Sequence, residues 1–262
     1  MTPSLKIGVG GALGRMGRAV SALAQANPGL VVAGRFDRPD GVDDRPESPA
    51  LGALSEVLAA SAVIVDFSTG AATAALAQAA AARGGPALVI GATGLDPGEE
   101  RMVTNAAKAI PIVKSGNYSV GVNILAGLVE QAARRLPPDV WDIEVFEAHH
   151  RRKVDAPSGT ALLLAQAAAR GRRREMGEIA LPPRDGVTGP RSEGAIGFAS
   201  VRGGGVVGEH SVIFAAEEET LTLSHSARDR ALFARGALEA AKWVVGKPPG
   251  LYDMIDVLGL RD

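Results

Sequence analysis

The sequence contains no cysteine and only four histidines, and aromatic residues make up 4% of it. The absence of cysteine excludes disulfide bonds, cysteine-ligated zinc sites and thiol nucleophiles. A chain without cysteine suits a reducing compartment, and the stretch Met1 to Lys6 enters a strand-like run without room for a signal peptide. We therefore expect a cytoplasmic protein.

The sequence also lacks an excess of one charge and a long apolar run. Lys and Arg total 28, Asp and Glu total 29, and the formal net charge is -1. This balance argues against general binding to nucleic acid or to a membrane surface, so any recognition of an anion must be local. The alanine-rich stretch 71–82 contains Thr73 and Gln78 and ends at Arg83, so it does not read as a membrane span.

The chain does contain enough apolar residues, 46% of 262, for one large or two modest domains. In the first part, short β-rich runs alternate with helical runs. The predicted strands are 5–9, 30–36, 62–67, 87–90 and 110–114, and the predicted helices are 14–26, 70–83 and 97–108. Asp96 is the expected N-cap of the last helix, followed by Pro97. Such alternation predicts an α/β domain with a parallel sheet and helices on both faces.

The pattern changes after about residue 120. Helices are predicted at 120–136, 158–170 and 230–245, and strands at 140–147, 195–201, 206–214 and 220–225. The last three strands follow one another without a helix between them, and a polar stretch, 171–193, precedes them. This order indicates a second, α+β domain with a mixed or antiparallel sheet.

A glycine loop separates the first strand from the first helix, with Gly11, Gly14 and Gly17 spaced as G-x-x-G-x-x-G. Glycine allows a tight turn and close approach to a pyrophosphate at the N-terminus of a helix. Asp37 lies twenty residues after Gly17 at the end of the second strand, where it can accept hydrogen bonds from a ribose, and the adjacent Arg38 can meet a 2′-phosphate. We predict dinucleotide binding, with NAD and NADP both open.

Asp37 and Arg38 are alternatively interpreted as an ordinary charged loop at the end of the second strand, since Asp43, Asp44 and Arg45 follow closely.

Two further loops, Phe67–Gly70 and Gly91–Gly94, come after predicted strands. Ligands of open α/β sheets bind at the carboxyl ends of the strands, and small residues in the second loop would let a nicotinamide amide approach the backbone. Either loop is equally compatible with an ordinary turn between strand and helix.

The most unusual stretch, E-A-H-H-R-R-K-V-D-A-P-S-G-T-A, covers 147–161 and places five residues that can carry positive charge in a row. A charge run alone favours a solvated surface. Here, however, it follows an apolar strand, contains two histidines suited to proton transfer, and leads into a helix start that can bind an anion. These features favour a cationic site for a small dicarboxylate. Nucleic-acid binding would need more aromatic residues nearby, and a metal site would need other ligand spacing.

The other two histidines, His210 and His225, fall in later strands, where a structural role is the better prediction. Glu209, which precedes His210, is the expected hydrogen-bond partner.

With these motifs in view, the sequence resembles the bacterial 4-hydroxy-tetrahydrodipicolinate reductase (dihydrodipicolinate reductase) family. The resemblance covers essentially the whole chain and rests above all on the complete match at 147–161. It is supported by G-A-x-G-R-M-G at 11–17, N-Y-S-V-G-V-N at 117–123, I-G-F and V-G-E-H at 196–198 and 207–210, and the tail 252–258.

The resemblance implies a Rossmann-type dinucleotide-binding domain, 1–120 and 230–262, and an α+β domain, 121–229, for substrate binding and tetramerisation. It implies that His149 is the proton donor and acceptor, that Lys153 is a proton donor, and that His150, Gly159 and Thr160 contact substrate carboxylates. The implied cofactor, NADH or NADPH, would be bound by residues of the glycine loop and three further loops: Gly11, Gly14, Arg15, Met16, Gly17, Asp37, Arg38, Gly91, Ala92, Thr93, Gly116, Asn117, Tyr118 and Ser119. No metal is implied.

Two loops depart from the family pattern. Phe67-Ser68-Thr69-Gly70 stands where F-T-x-P is usual, and Ala92 replaces the first threonine of G-T-T-G. The first change removes an Arg that some members place there, which weakens any expectation of NADPH preference. Two other functions remain as alternatives, a dehydrogenase for another amino-acid-derived substrate and a dinucleotide sensor without catalysis. The joint presence of His149, Lys153 and Thr160 favours the reductase.

Overall fold

The structure, a computed structural model, describes residues 4–38 and 50–260. Asp43, Asp44 and Arg45, the charged loop of the alternative considered above, lie outside the described residues. By its internal contacts the chain divides into two compact units, a first unit of 1–120 with 231–262 and a second unit of 121–230. Within the described residues, no helix has the length and apolar character needed to cross a membrane.

The helices and strands are numbered in chain order. They are β1 (Leu5–Gly10), α1 (Arg15–Gln25), β2 (Leu30–Phe36), α2 (Leu54–Ala60), β3 (Val63–Asp66), α3 (Gly70–Ala82), β4 (Ala87–Ile90), α4 (Pro97–Ala106), β5 (Pro111–Lys114), α5 (Val120–Arg135), β6 (Asp142–His149), α6 (Gly159–Gly171), α7 (Met176–Ile179), β7 (Ile196–Arg202), β8 (Gly208–Ala215), β9 (Thr220–Ala227), α8 (Ala231–Val244), β10 (Gly250–Tyr252) and α9 (Met254–Val257).

In the first unit, the described strands form a sheet in the order β10-β5-β4-β3-β1-β2, and all its neighbours are parallel. β3 and β4 are buried along their whole length because helices cover both faces. One face packs Val9, Val65 and Val89 against α1 and α8, and the other packs Ile64 and Leu88 against the helices of the opposite side. The predicted parallel α/β domain is confirmed.

In the second unit, the sheet order is β7-β6-β8-β9, with β6 and β7 parallel and the other pairs antiparallel. Burial alternates strictly along β8, as expected for a sheet with one face on a core. Ile143, Val145 and Phe214 form that core with apolar residues of α5 and α6. The predicted mixed sheet is confirmed.

The ends of the main elements agree with the prediction to within a few residues, and Asp96 caps α4 by accepting hydrogen bonds from the N–H groups of Gly98 and Glu99 at 2.6 and 2.9 Å. Four short elements were not predicted, namely α2, α7, β10 and α9. Each is three to seven residues long, too short for a clear periodic pattern.

Candidate functional site

The glycine loop of the first unit is shaped for close approach of a ligand. Gly11 has φ +64°, a conformation that favours glycine, and a Cβ on Gly17 would lie 2.2 Å from the Gly11 carbonyl oxygen. Gly14 is the N-cap of α1 and provides no side-chain cap, so the N–H groups of the first turn stay available to an anion. Arg15 is exposed beside them, whereas Met16 packs partly into the core. This loop fits the pyrophosphate of a dinucleotide.

Asp37 follows β2 at the same edge of the sheet, because Gly10 and Phe36 are paired in the parallel register. Its Oδ2 accepts a hydrogen bond from the N–H of Leu13 at 2.7 Å, and its Oδ1 accepts one from the N–H of Arg38 at 2.8 Å. The carboxylate therefore holds the glycine loop directly. Each oxygen retains acceptor capacity for a ribose hydroxyl, and Arg38 is exposed at the same place.

Two further predicted loops follow the neighbouring strands β4 and β5. Gly91 must be small because a Cβ there would lie 2.1 Å from the Phe67 ring, and Ala92 is buried while Thr93 is exposed. In the loop after β5, Gly116 is exposed, and Asn117 and Ser119 are buried, with the Asn117 Oδ1 accepting a hydrogen bond from the Ser119 N–H at 2.8 Å. The structure thus brings the predicted cofactor residues of the first unit to one sheet edge.

Tyr118 differs from the other predicted cofactor residues because its side chain points into the first unit. Its hydroxyl lies 2.8 Å from the Ile90 carbonyl oxygen and 3.1 Å from that of Val113. Burial raises the pKa of this phenol well above its usual value, so the group stays neutral. The Tyr118 side chain therefore holds the ends of β4 and β5 together.

In the second unit, β6 ends with His149, which is largely buried against a fully buried carboxylate. The Nδ1 atom of His149 lies 2.5 Å from Glu147 Oε2. Arg202 of β7 donates two hydrogen bonds to the same carboxylate, at 2.8 Å from Nη1 and 2.6 Å from Nη2. Burial alone would raise the pKa of Glu147, but hydrogen bonds from Arg202, Ser200 and His149 outweigh it and lower the pKa to about 2.

The two other predicted residues of the cationic stretch have charged neighbours. Arg230 Nη2 lies 2.9 Å from His150 Nε2 and can only donate, so His150 accepts in its neutral form. Burial, followed by repulsion from Arg230 and Arg152, lowers the pKa of His150. Lys153 Nζ forms an ion pair with Asp155 at 2.8 Å, and this hydrogen bond lowers the pKa of Asp155.

The start of α6 lies next to these groups. Ser158 is the N-cap and accepts a hydrogen bond from the Ala161 N–H at 3.2 Å, while its Oγ lies 3.1 Å from His210 Nε2. The rings of His210 and His149 pack edge to face, with centroids 5.0 Å apart. Gly159 is exposed, and a Cβ there would meet no atom within 4 Å, so the helix start is open beside Thr160.

The structural role predicted for His210 stays a prediction, but the partner predicted for it is wrong. His210 contacts Ser158, whereas Glu209 accepts a hydrogen bond from Ser226 Oγ at 2.7 Å. The reason is strand alternation, which places consecutive residues on opposite faces of β8. Burial, with the nearby His149, lowers the pKa of His210 to about 4, so it is neutral near neutral pH.

Arg151 and Arg152 are exposed, and the charge of Arg152 acts on His150. In the described part of the chain, no group of three or more His, Asp or Glu residues could hold a metal ion.

The sequence analysis did not identify Glu147, Arg202, Ser158 or Arg230 as individual residues of the site. A signal for Glu147 was present, because it follows Ile143 and Val145 at the period of two that marks the core face of β6. No local pattern identifies Arg202, which reaches Glu147 across 55 positions of sequence.

Comparisons with known proteins agree along the entire chain. Residues 5–118 match the family model described as "Dihydrodipicolinate reductase, N-terminus", and residues 121–258 match "Dihydrodipicolinate reductase, C-terminus". The chain is 58% identical over 261 residues to the 4-hydroxy-tetrahydrodipicolinate reductase of Caulobacter vibrioides, with 100% of both chains covered. It is 52% identical to that of Rhizobium rhizogenes, with 98% of this chain and 97% of the relative covered.

A solved structure has the same fold. The dipicolinate-bound dihydrodipicolinate reductase from Paenisporosarcina sp. TG-14 superimposes with a TM-score of 0.79 at 22% identity, covering 97% of this chain and 98% of that one.

Proposed function

The chain belongs to the dihydrodipicolinate reductase family, and on that premise we propose its reaction. It reduces 4-hydroxy-tetrahydrodipicolinate, by way of dihydrodipicolinate, to tetrahydrodipicolinate, using NADH or NADPH. This reaction belongs to the diaminopimelate route of lysine biosynthesis. The observation that carries the proposal is the link within the second unit between His149 and the start of α6, formed by the contact of His149 with His210 and of His210 with Ser158.

The second unit provides what a dicarboxylate substrate requires. The N–H groups at the start of α6, with Gly159 and Thr160, suit one carboxylate, and His150 suits the other. Reduction adds a hydride to the ring of the unsaturated dicarboxylate, and a proton must then be added to complete the product. His149 and Lys153 supply that proton, and the surrounding positive charge stabilises the negative charge that develops.

The first unit provides a site for the dinucleotide. A bound NADH or NADPH supplies the hydride. The Gly11–Gly17 loop and Arg15 would hold the pyrophosphate, Asp37 would accept hydrogen bonds from the ribose hydroxyls, and Arg38 would meet a 2′-phosphate. The loops Gly91–Thr93 and Gly116–Ser119, the second held by Tyr118, are assigned to the nicotinamide side. Since both Asp37 and Arg38 are present, we expect both cofactors to support turnover.

The test is oxidation of NADH and, separately, NADPH by the purified protein with freshly generated 4-hydroxy-tetrahydrodipicolinate. Because general acids contribute roughly 10²- to 10⁴-fold, His149→Gln and Lys153→Met should each lower kcat within that range, without changing the KM for NADH. Arg151→Gln, which removes an exposed charge in the same stretch, is the matched control and should lower kcat far less than either substitution. Absence of substrate-dependent oxidation in the wild type would refute the proposed reaction.

We further propose that the protein is a cytoplasmic homotetramer assembled through the second unit. Phe146, Val201 and Ile213 alternate with the core positions of their strands and are at least partly exposed, and a cysteine-free chain suits the cytoplasm. Light scattering coupled to size-exclusion chromatography measures the mass, and a monomer at micromolar concentration contradicts the assembly. Cell fractionation tests the localisation.

A further inference from the structure

A carboxylate occupies a core position of β6. Ile143, Val145, Glu147 and His149 follow one another at a period of two and therefore share one face of the strand. Ile143, Val145 and Glu147 have no exposed surface, and His149 is 9% exposed. An ionised group is stable in such a place only when hydrogen bonds and opposite charge replace its water. The partners of Glu147 should therefore be specific.

Those partners come from the neighbouring strand β7 as well as from β6 itself. In the parallel register, Ser200 of β7 lies opposite Glu147 and Arg202 lies opposite His149. Arg202 binds both carboxylate oxygens, the geometry in which an arginine fixes a carboxylate most firmly. Its Nη2 also donates to the Asp155 carbonyl oxygen at 2.7 Å. Arg202 alone therefore fixes the orientation of the Glu147 carboxylate, independently of His149.

The ionised Glu147 determines which nitrogen of His149 carries a proton. A carboxylate can only accept, so the Nδ1 atom facing it at 2.5 Å must be the protonated one. The Nε2 atom is then left to exchange protons with a ligand. Gly208 keeps that atom accessible, since a Cβ at this position would lie 3.2 Å from His149 Nε2.

The orientation of the His149 ring plane is fixed by a different neighbour, His210. His210 lies opposite Glu147 in the antiparallel register and packs edge to face against His149. Because the lowered pKa of His210 keeps it neutral near neutral pH, it adds no second positive charge to the pair. The charged and titratable side chains near His149 are therefore those of Glu147 and Arg202, together with His150 and Lys153 in the following turn.

We propose that Glu147, held by Arg202, is the positioning residue of His149 and fixes its Nδ1–H tautomer so that Nε2 exchanges the proton in the reaction. This inference rests on the proposed function for the role of His149. The tautomer itself does not depend on that function and is measured without substrate.

The first measurement is NMR of the imidazole nitrogens of the unliganded protein labelled with ¹⁵N-histidine, between about pH 5 and 8, where histidines titrate. The chain has only four histidines, so single substitutions assign the signals. In its neutral form, His149 should carry its proton on Nδ1. A neutral His149 protonated on Nε2 would overturn the proposal, and this result requires only the wild-type protein.

The second measurement compares Glu147→Gln with Glu144→Gln. Both variants change a glutamate of β6 to its amide, but Glu144 pairs with Arg184 and Arg191 and not with His149. Glu147→Gln should give a mixture of His149 tautomers, an altered pH dependence of kcat, and a kcat lower by roughly 10- to 100-fold, the range typical of removing a carboxylate that orients a metal-bound histidine. The KM for NADH should stay unchanged. Glu144→Gln should match the wild type in all of these.

The outcomes separate the inference from the proposed function. If wild-type protein shows the Nδ1–H tautomer but does not oxidise NADH or NADPH with the dicarboxylate, the function is wrong and the positioning geometry stands. If the wild type is active and Glu147→Gln retains both its kcat and the Nδ1–H tautomer, the positioning role is wrong. Glu147→Asp, which keeps the charge, should recover the tautomer where Glu147→Gln loses it.

Discussion

At the scale of single residues, the glycine loop depends on the contact between Gly17 and the backbone of Gly11. We predict that Gly17→Ala lowers the free energy of unfolding by about 1–3 kcal/mol, because its Cβ would lie 2.2 Å from the Gly11 carbonyl oxygen and neither backbone can move freely. The displaced loop should also bind NADH more weakly. Thermal unfolding and a fluorescence titration with NADH measure the two effects.

The control for this substitution is Gly177→Ala in α7, where a new Cβ would meet no atom within 4 Å. This variant should be as stable as the wild type or slightly more stable, because alanine favours a helix over glycine. Equal stability of the two variants would show that the close contact at Gly17 is absent.

Tyr118 and Glu147 show how far residues could be predicted individually. The motif N-Y-S predicts that Tyr118 lies near the cofactor loop, but only the tertiary structure shows its hydroxyl between the Ile90 and Val113 carbonyls. Glu147 belongs to the family motif, yet its role depends on Arg202. The type of a side chain and its place in a motif can be read from the neighbouring sequence. Its hydrogen-bond partners cannot, because they come from other strands.

At the scale of elements, the start of α6 combines a helix cap with a contact to a buried histidine. Ser158→Ala should lose roughly 1 kcal/mol from the missing cap and a further 1–3 kcal/mol because His210 Nε2 loses its partner. Chemical denaturation measures the loss. The comparison variant is Thr69→Ala, which removes the exposed N-cap of α3 without affecting a buried group. Losses of the same size in both variants would contradict the role given to the His210 contact.

Elements were predictable when their own pattern was strong. The buried, mainly apolar runs of β3 and β4 and the Asp96-Pro97 start of α4 were recognised because those signals are local. β10 was missed because its three residues become a strand only by pairing with β5. The strand order within each sheet could not be predicted either, because it depends on packing between distant segments and not on any short stretch of sequence.

At the scale of the whole molecule, the lowered pKa values of two buried groups predict that the protein loses stability in acid. The pKa of His210 is lowered from 6.5 to about 4 and that of Glu147 from 4.5 to about 2. In both cases the unfolded chain binds the proton more readily. The stabilisation from each group is therefore fully present above the pKa of that group in the unfolded chain. It is lost as the pH falls, between about 6.5 and 4 for His210 and between about 4.5 and 2 for Glu147.

The loss from His210 should reach about 3 kcal/mol at the lower end of its range. The midpoint of chemical denaturation, measured in steps from neutral pH to about pH 4.5, should fall for the wild type. His210→Gln should show a shallower fall over the same range, whatever its stability at neutral pH. Parallel curves for the two proteins would assign the acid sensitivity to other groups.

The sequence by itself determined the parallel α/β unit, the mixed-sheet unit, the glycine loop with Asp37 and the family motif at 147–161, because each depends on residues close together in the chain. Only the tertiary structure decided that Arg202 and Ser200 surround Glu147, that His210 packs on His149 and binds Ser158, and that Arg230 contacts His150. These contacts depend on the register of β6 with β7 and β8 and on chain packing. Register is set by packing across distant segments, so no local pattern reveals it.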